Sequence, residues 1–164
     1  MIILNIGELL QLRESNRDKK IVFCSGSFDL THAGHILFFE DCKKLGDILV
    51  VCVGSDRLIK SLKGDKRPIL NENIRLKTID SLKPVDYCFI NPCSPEEHPL
   101  LILEIVFKKL KPDVYVINED AFNISYRLNL CKKYKVKLHI LKRWCPSEFD
   151  SISTSKIIER INNL

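Results

Sequence analysis

Short runs of apolar, largely β-branched residues alternate along this chain with stretches whose apolar residues recur at helical spacing. Residues 21–25 (Ile-Val-Phe-Cys-Ser), 48–53 (Ile-Leu-Val-Val-Cys-Val), 87–90, 114–117 and 136–141 read as five strands. Each is too short and too continuously apolar to be a surface helix. Between them the spacing predicts helices over 34–45, 71–82, 99–110 and 122–134, and a closing helix over 154–161. The second of these carries Ile74, Ile79 and Leu82 and stops before Pro84; the third stops before Pro112. A further helix over 6–15 precedes the first strand and is expected to pack on the outside. Strands alternating with helices imply parallel pairing through right-handed crossovers. Strands apolar throughout are expected to be buried on both faces. The expectation is therefore an α/β fold, a doubly wound parallel five-stranded sheet with an extra N-terminal helix. Ligands of such sheets bind beyond the carboxyl ends of the strands. Functional residues are thus expected just after Ser25, Val53, Ile117 and Leu141.

The length, 164 residues, suits one domain with a real core, and no Gly/Ser/Pro linker divides it, so 1–164 is read as a single domain. The longest apolar run, 48–53, is far below the roughly 20 residues of a membrane span. The N-terminus soon turns charged, with Glu8, Arg13 and Glu14, and no signal peptide is expected. Seven cysteines, an odd number with no Cys-x-x-Cys pair, read as buried reduced thiols of a cytoplasmic protein, and no zinc cluster is spaced among them. The net charge of +5 reads as a solvated basic surface, Lys132, Lys133, Lys135 and Lys137 included. Without interleaved aromatic residues it does not point to nucleic acid. It would suit phosphate-rich substrates.

The chemistry concentrates in Ser25-Gly26-Ser27-Phe28-Asp29-Leu30-Thr31-His32-Ala33-Gly34-His35, which leaves the first strand and opens a helix. Gly26 permits a sharp turn and the approach of a phosphate to the backbone. The helix start offers free amides and a positive dipole end. His32 and His35, three apart, share a face, and Gly34 keeps it uncrowded, so both imidazoles could donate to phosphoryl oxygens. His-x-x-His can also hold a cation, but no third ligand lies near it in sequence.

This string resembles the signature of the cytidylyltransferase-like nucleotidyltransferases, His-x-Gly-His after a Gly-x-Phe-Asp turn. The resemblance runs from Lys20 to Ile161 and implies a Rossmann-like, HUP-type sheet. It includes Lys43-Lys44-Leu45-Gly46-Asp47 before the second strand and Val85-Asp86 before the third. It also includes Ile152-Ser153-Thr154-Ser155-Lys156-Ile157-Ile158 near the end. Leu62-Lys63-Gly64-Asp65-Lys66-Arg67-Pro68 with Arg75 resembles the sugar-phosphate adenylyltransferases that make ADP-heptose. The short length and the C-terminal motif also fit glycerol-3-phosphate cytidylyltransferases, and archaeal-type FAD synthetases share the frame.

The resemblance implies catalytic roles for His32, His35 and Lys44, and nucleotide binding by Gly26, Ser27, Phe28, Asp29, Asn118, Asp120, Ser153, Thr154 and Ser155. It further implies that Arg75, Arg143 and Lys63 hold substrate phosphate. Each also has a plainer reading: a surface lysine for Lys44, a salt-bridge partner for Arg75, a helix cap for Ser153 to Ser155, a polar loop for Asn118 to Asp120. Many relatives carry Gly-Gly-Asp where this chain has Asn118-Glu119-Asp120, and the stretch from Trp144 to Ser151 is longer than expected.

The implied reaction is in-line displacement at the α-phosphorus of an NTP by a phosphorylated small molecule, with a divalent ion, Mg²⁺, bound mainly through the phosphates. Adenylyl transfer to a heptose 1-phosphate-like sugar phosphate is the first reading, and cytidylyl transfer to glycerol 3-phosphate or a similar phospho-alcohol the alternative. A non-catalytic nucleotide-binding module and a fragment related to class I aminoacyl-tRNA synthetases rank below both. The resemblance also implies a possible homodimer. No nucleic-acid or membrane partner is expected.

Overall fold

The computed structural model describes residues 1–149 and 153–164. Five strands, β1 (Ile21–Gly26), β2 (Ile48–Val53), β3 (Tyr87–Ile90), β4 (Val114–Asn118) and β5 (Lys137–Leu141), form one sheet in the order β3-β2-β1-β4-β5, every pairing parallel. The chain runs outward from β1 to β3, then returns to lay β4 on the other side of β1. The strand direction of travel therefore reverses between β1 and β4, which makes their carboxyl ends the switch point of the sheet.

Among the described residues, seven helices accompany the strands: α1 (Glu8–Ser15), α2 (Ala33–Lys43), α3 (Asp56–Lys63), α4 (Glu72–Asp80), α5 (Leu101–Lys109), α6 (Ile124–Tyr134) and α7 (Thr154–Asn162). Alternate residues of β1 and β2 feed two cores. Ile21, Phe23, Ile48, Val50 and Cys52 face α1, α5 and α6, while Val22, Cys24, Leu49, Val51 and Val53 face α2 and α4. Two-sided burial explains why these strands read as unbroken apolar runs.

Three expectations need correction. Strand β5 is a sheet edge with partly and fully exposed positions, so it is not buried on both faces. Helix α1 is not an external appendage: Leu9 and Leu12 join the core, and Arg13 donates to the carbonyls of Leu110 and Lys111 and pairs with Asp113 at 2.8 Å. Helix α3 was not expected, because eight residues with three apolar positions give a weak periodic signal. It is fixed at its start by the Ser55 hydroxyl, which accepts from the Leu58 amide, and by burial of Leu58 and Ile59. Six cysteines are buried thiols; Cys145 is exposed, its Sγ on the Phe149 carbonyl. Among the described residues, no helix is long and apolar enough to cross a membrane.

Candidate active site

The turn after β1 is tightly constrained. Phe28 and Leu30 both adopt positive φ, 48° and 46°, a costly region for residues with a Cβ. The reward is that the Phe28 ring folds back over Gly26 and packs on Phe39 and edge-on to His35. A Cβ on Gly26 would lie 2.8 Å from that ring, so the glycine is required here by the aromatic lid over it. Arg75 fixes the next carbonyl, its Nη1 donating to Ser27 O at 2.6 Å.

At the start of α2 the two histidines stack, ring centroids 4.0 Å apart, and the His32 amide points to His35 Nδ1 at 3.4 Å. His32 Nδ1 is buried and has no hydrogen-bond partner within the protein, the only such side-chain atom among the described residues. An orphaned buried nitrogen costs free energy unless a ligand or water satisfies it. Burial, then the neighbouring charge of His32, Arg143 and Lys63, pushes His35 down to about 3, against a smaller opposing effect of Asp29. His32 is lowered by burial and by Arg143. Both imidazoles are thus neutral at ordinary pH, with cations ranged around them.

Those cations come from three elements. Lys63 ends α3 and is exposed, its ammonium disfavoured first by desolvation and then by Arg67. Arg143 follows β5, paired with Asp120 at 2.8 Å, and its own amide donates to Glu119. Arg67 lies in the turn between α3 and α4. A mouth flanked by Lys63 and Arg143, with Arg67 next to Lys63, suits a polyanion.

Asp29 is expected to touch nucleotide, but its carboxylate is buried and turned inward. It accepts from Arg67 Nε (3.0 Å) and from the amides of Ile69 (2.9 Å) and Leu70 (3.0 Å). Burial alone would raise its pKa; these donors outweigh it and hold the group below the usual carboxylate value. Asp29 is the clamp between the β1 turn and the 67–70 segment. Its carbonyl accepts the Thr154 hydroxyl at 2.7 Å, which brings the start of α7 to the same turn. The Ser153 hydroxyl caps α7 by accepting from the Lys156 amide, and Ser155 lies exposed on its first turn. Ile152 of the C-terminal motif lies outside the described residues.

Gly26, Ser27, Phe28, Asp29, His32, His35, Lys63, Arg143 and the 153–155 segment are therefore gathered at the carboxyl ends of β1, β4 and β5. Asn118 ends β4, its carbonyl accepting from Ala121, and Asp120 stands exposed beside Arg143. Two expected residues are placed otherwise. Lys44 sits past the far end of α2, nine residues beyond His35, or about 13 Å along the axis. There its exposed ammonium pairs with Asp41 at 2.8 Å, and Asp41 also accepts Trp144 Nε1. Arg75 is fully buried, and its guanidinium is engaged by Leu70 O, Ser27 O and the Asp56 carboxylate. It supports the turn from beneath rather than facing the mouth.

Sequence reasoning missed Arg67, hidden among Lys60, Lys63 and Lys66. It also missed Arg127, which is buried behind β4 and holds the Phe122 carbonyl and the Tyr115 hydroxyl. Phe122, whose ring lies 4.7 Å from that guanidinium, and Tyr115 thus tie the loop after β4 to the core. No His/Cys/Asp/Glu triad able to hold a metal ion converges among the described residues.

A family model described as cytidylyltransferase-like matches residues 23–160. The bifunctional protein HldE of Helicobacter pylori (strain P12) is 39% identical over 154 residues, which cover 93% of this chain and 30% of that one. The bifunctional protein HldE of Campylobacter jejuni (strain RM1221) is 38% identical over 166 residues, 98% of this chain and 32% of that one. The chain thus spans about a third of these curated relatives. A lipopolysaccharide core biosynthesis protein from Thermoplasma volcanium superposes with a TM-score of 0.60 at 31% identity, over 80% of this chain and 99% of that one. A pantoate-beta-alanine ligase from Francisella tularensis, 18% identical, shares the fold over all of this chain and 78% of its own, with a TM-score of 0.67. With the family match spanning β1 to α7 and a histidine pair at the switch point of its sheet, this chain belongs to the cytidylyltransferase-like family.

Proposed function

We propose that the chain transfers a nucleoside monophosphate from an NTP, ATP in the first place, to the phosphate of a phosphorylated sugar. The observation that carries this reading is the stacked pair His32 and His35, one nitrogen of it buried and unpartnered, at a mouth flanked by Lys63 and Arg143. In the reaction an oxygen of the acceptor phosphate attacks the α-phosphorus. The new P–O bond forms as the bond from the α-phosphorus to the bridging oxygen breaks, and pyrophosphate leaves with the electron pair. No protein nucleophile is required.

The chain's residues supply position and charge. The neutral imidazoles donate hydrogen bonds to the α- and bridging oxygens, where charge grows. Lys63 and Arg143 neutralise the leaving pyrophosphate, and Arg143 exchanges its surface partner Asp120 for phosphate. The amides at the start of α7, set by the Thr154–Asp29 bond, face the distal phosphates. A divalent ion of the Mg²⁺ kind takes few protein ligands beside substrate phosphates and waters, and would enter with the nucleotide. Bound through the phosphates, that ion would screen their charge.

The test is pyrophosphate release from ATP or CTP in the presence of heptose 1-phosphate, mannose 1-phosphate or glycerol 3-phosphate. Release with ATP and a sugar phosphate is expected. Release only with CTP and glycerol 3-phosphate would assign the other transfer. Tight NTP binding without release for any acceptor would leave only a binding module.

A further inference from the structure

The segment that follows β5 is fastened at two places. Leu141, the last residue of β5, packs into the core on the α2 face of the sheet, so the chain leaves the sheet on the side of α2. Two residues later the Arg143 amide donates to Glu119 and its guanidinium pairs with Asp120, both in the loop after β4. The next residue, Trp144, reaches α2: its Nε1 donates to Asp41 Oδ2 at 2.8 Å, a partner 103 positions away. Beyond it the chain closes on itself, with the Phe149 amide on the Pro146 carbonyl and Cys145 Sγ on the Phe149 carbonyl.

The two fastenings differ in strength. Arg143 and Asp120 are both more than half exposed, and a surface pair of this kind contributes little. Asp41 is largely covered, and its oxygens are divided: Oδ1 takes Lys44 and Oδ2 takes the indole. Burial would raise its pKa; the two donors outweigh that and hold the carboxylate below its usual value. The indole has a single N–H, and bonded to a carboxylate it makes one charge-assisted contact of fixed direction. Trp144 is otherwise 54% exposed, so packing alone does not fix the ring.

We propose that Asp41 and Trp144 form a latch that positions Arg143 at the phosphate mouth. The inference rests on the nucleotidyl-transfer reading and adds to it two positioning residues outside the mouth. When a polyphosphate enters, Arg143 gives up Asp120, its weak partner. The latch keeps the backbone at 143 in place while the side chain turns to the ligand, so the segment is ordered by the fold and not by binding. The charge of Arg143 is already felt at both histidines. For Asp41, charge and position predict opposite outcomes. It lies six residues past His35, about 9 Å along α2. By charge alone, its removal would tighten the binding of a polyphosphate and would release Lys44 as a further cation. By position, its removal weakens binding.

The experiment measures affinity for a non-hydrolysable ATP analogue by titration calorimetry. It compares wild type with Asp41→Ala, Asp41→Asn and Trp144→Phe, each with and without Arg143→Ala, and records melting temperatures alongside. Arg143→Ala should weaken binding about tenfold, as for one charge-assisted contact. Asp41→Ala removes the acceptor and Trp144→Phe the donor. Each should weaken binding about fivefold, the scale of ordering one residue, and should cost nothing further once Arg143 is alanine. Asp41→Asn keeps an oxygen for the indole and should bind at least as tightly as wild type. A tighter Asp41→Ala complex, equal losses with and without Arg143, or an Arg143→Ala variant as tight as wild type each overturns the latch.

Trp144 is the only tryptophan of the chain, so its fluorescence reports the latch. Acrylamide should quench it more in Asp41→Ala than in wild type, and no more in the wild-type complex than in the free protein. Stronger quenching on binding would mean that the latch opens, and overturns the proposal. If wild type binds the analogue yet releases no pyrophosphate with any acceptor, the transfer reading falls and the latch stands on its binding result. If transfer proceeds and the Asp41 and Trp144 variants bind like wild type, the latch alone falls.

Discussion

The Thr154 hydroxyl donates to the Asp29 carbonyl at 2.7 Å, across 125 residues of chain. One hydrogen bond thereby fastens the last helix to the turn that leaves the first strand. Because that hydroxyl proton is already engaged, in the proposed reading Thr154 acts on phosphate through the position of α7, with its backbone amide as the donor. Thr154→Val should then lower kcat/KM for the NTP by about tenfold to a hundredfold, the range of one or two misplaced donors. Thr154→Ser should keep most of it. The check is steady-state kinetics with the melting temperature measured alongside; a Val variant as active as the Ser variant would contradict this role.

Gly26 and Phe28 form the second dependency. A methyl group at position 26 would meet the Phe28 ring at 2.8 Å, and Phe28 already holds a left-handed backbone. Gly26→Ala should destabilise the protein by about 1–3 kcal/mol, as overpacking does. Phe28→Leu, which removes the ring, should cost less in the Gly26→Ala background than in wild type. A double-mutant cycle by urea unfolding measures that coupling; additive costs would mean that the ring yields freely.

The pattern of residues made the sheet readable and left the site half read. β2 is buried along its whole length, and burial on both faces writes itself as an unbroken apolar run. Helix α3 wrote almost nothing, since its identity depends on a cap at Ser55 and on two buried side chains. The histidines were legible because a fixed spacing at a strand-to-helix turn has few other uses. Lys44 was misplaced because a short motif gives sequence proximity to β2, whereas the rise of α2 carries its end far from His35. Arg75 and Arg67 show the opposite limit. A buried arginine that braces a carbonyl and one that faces a cleft have the same letter, and only the partners, Ser27 O for one and Asp29 for the other, separate them.

The depressed histidines make stability depend on acidity in a defined direction. In the unfolded chain an imidazole titrates near 6.5, whereas burial and the adjacent cations hold His35 at about 3 in the fold. Between these values the unfolded state carries a proton that the native state lacks, so unfolding is favoured as the pH falls. The stability contribution is fully present above about 6.5 and is lost progressively on the way down to 3; His32, lowered too, adds to it. The Asp29 contribution is lost only below the usual carboxylate value of 3.8, outside the upper part of this window. His35→Gln should therefore flatten the fall in melting temperature between pH 6.5 and 4, as read by scanning calorimetry. Parallel profiles for the variant and wild type would contradict the burial of a neutral imidazole.

Arg75 is expected to behave as a brace. Its guanidinium is fully buried and holds two carbonyls and one carboxylate, so Arg75→Met leaves those acceptors without their donors. A loss of about 3 kcal/mol is expected in urea unfolding, the scale of breaking a buried charge pair from one side. Arg75→Lys should recover little of it, because an ammonium cannot reproduce the planar fork. If both variants unfold like wild type while KM for the phosphorylated acceptor climbs, Arg75 contacts substrate after all.

The two lysines give the sharpest contrast in the site. Lys63 is close enough to His35 for its charge to be felt there, and desolvation with Arg67 already disfavours its ammonium. A triphosphate would favour the charged ammonium of Lys63 against that desolvation. Lys44 is exposed and satisfied by Asp41, whose hydrogen bond raises its pKa from the ordinary lysine value. Lys63→Met should weaken NTP binding about tenfold or more, since it removes a charge-assisted contact. It should also make binding less sensitive to salt. Lys44→Met should change NTP affinity by less than about twofold, the scale of a surface ion pair. Isothermal titration with a non-hydrolysable NTP analogue at two salt concentrations separates them; equal losses in the two variants would restore Lys44 to the phosphate site and would require α2 to present its carboxyl end there.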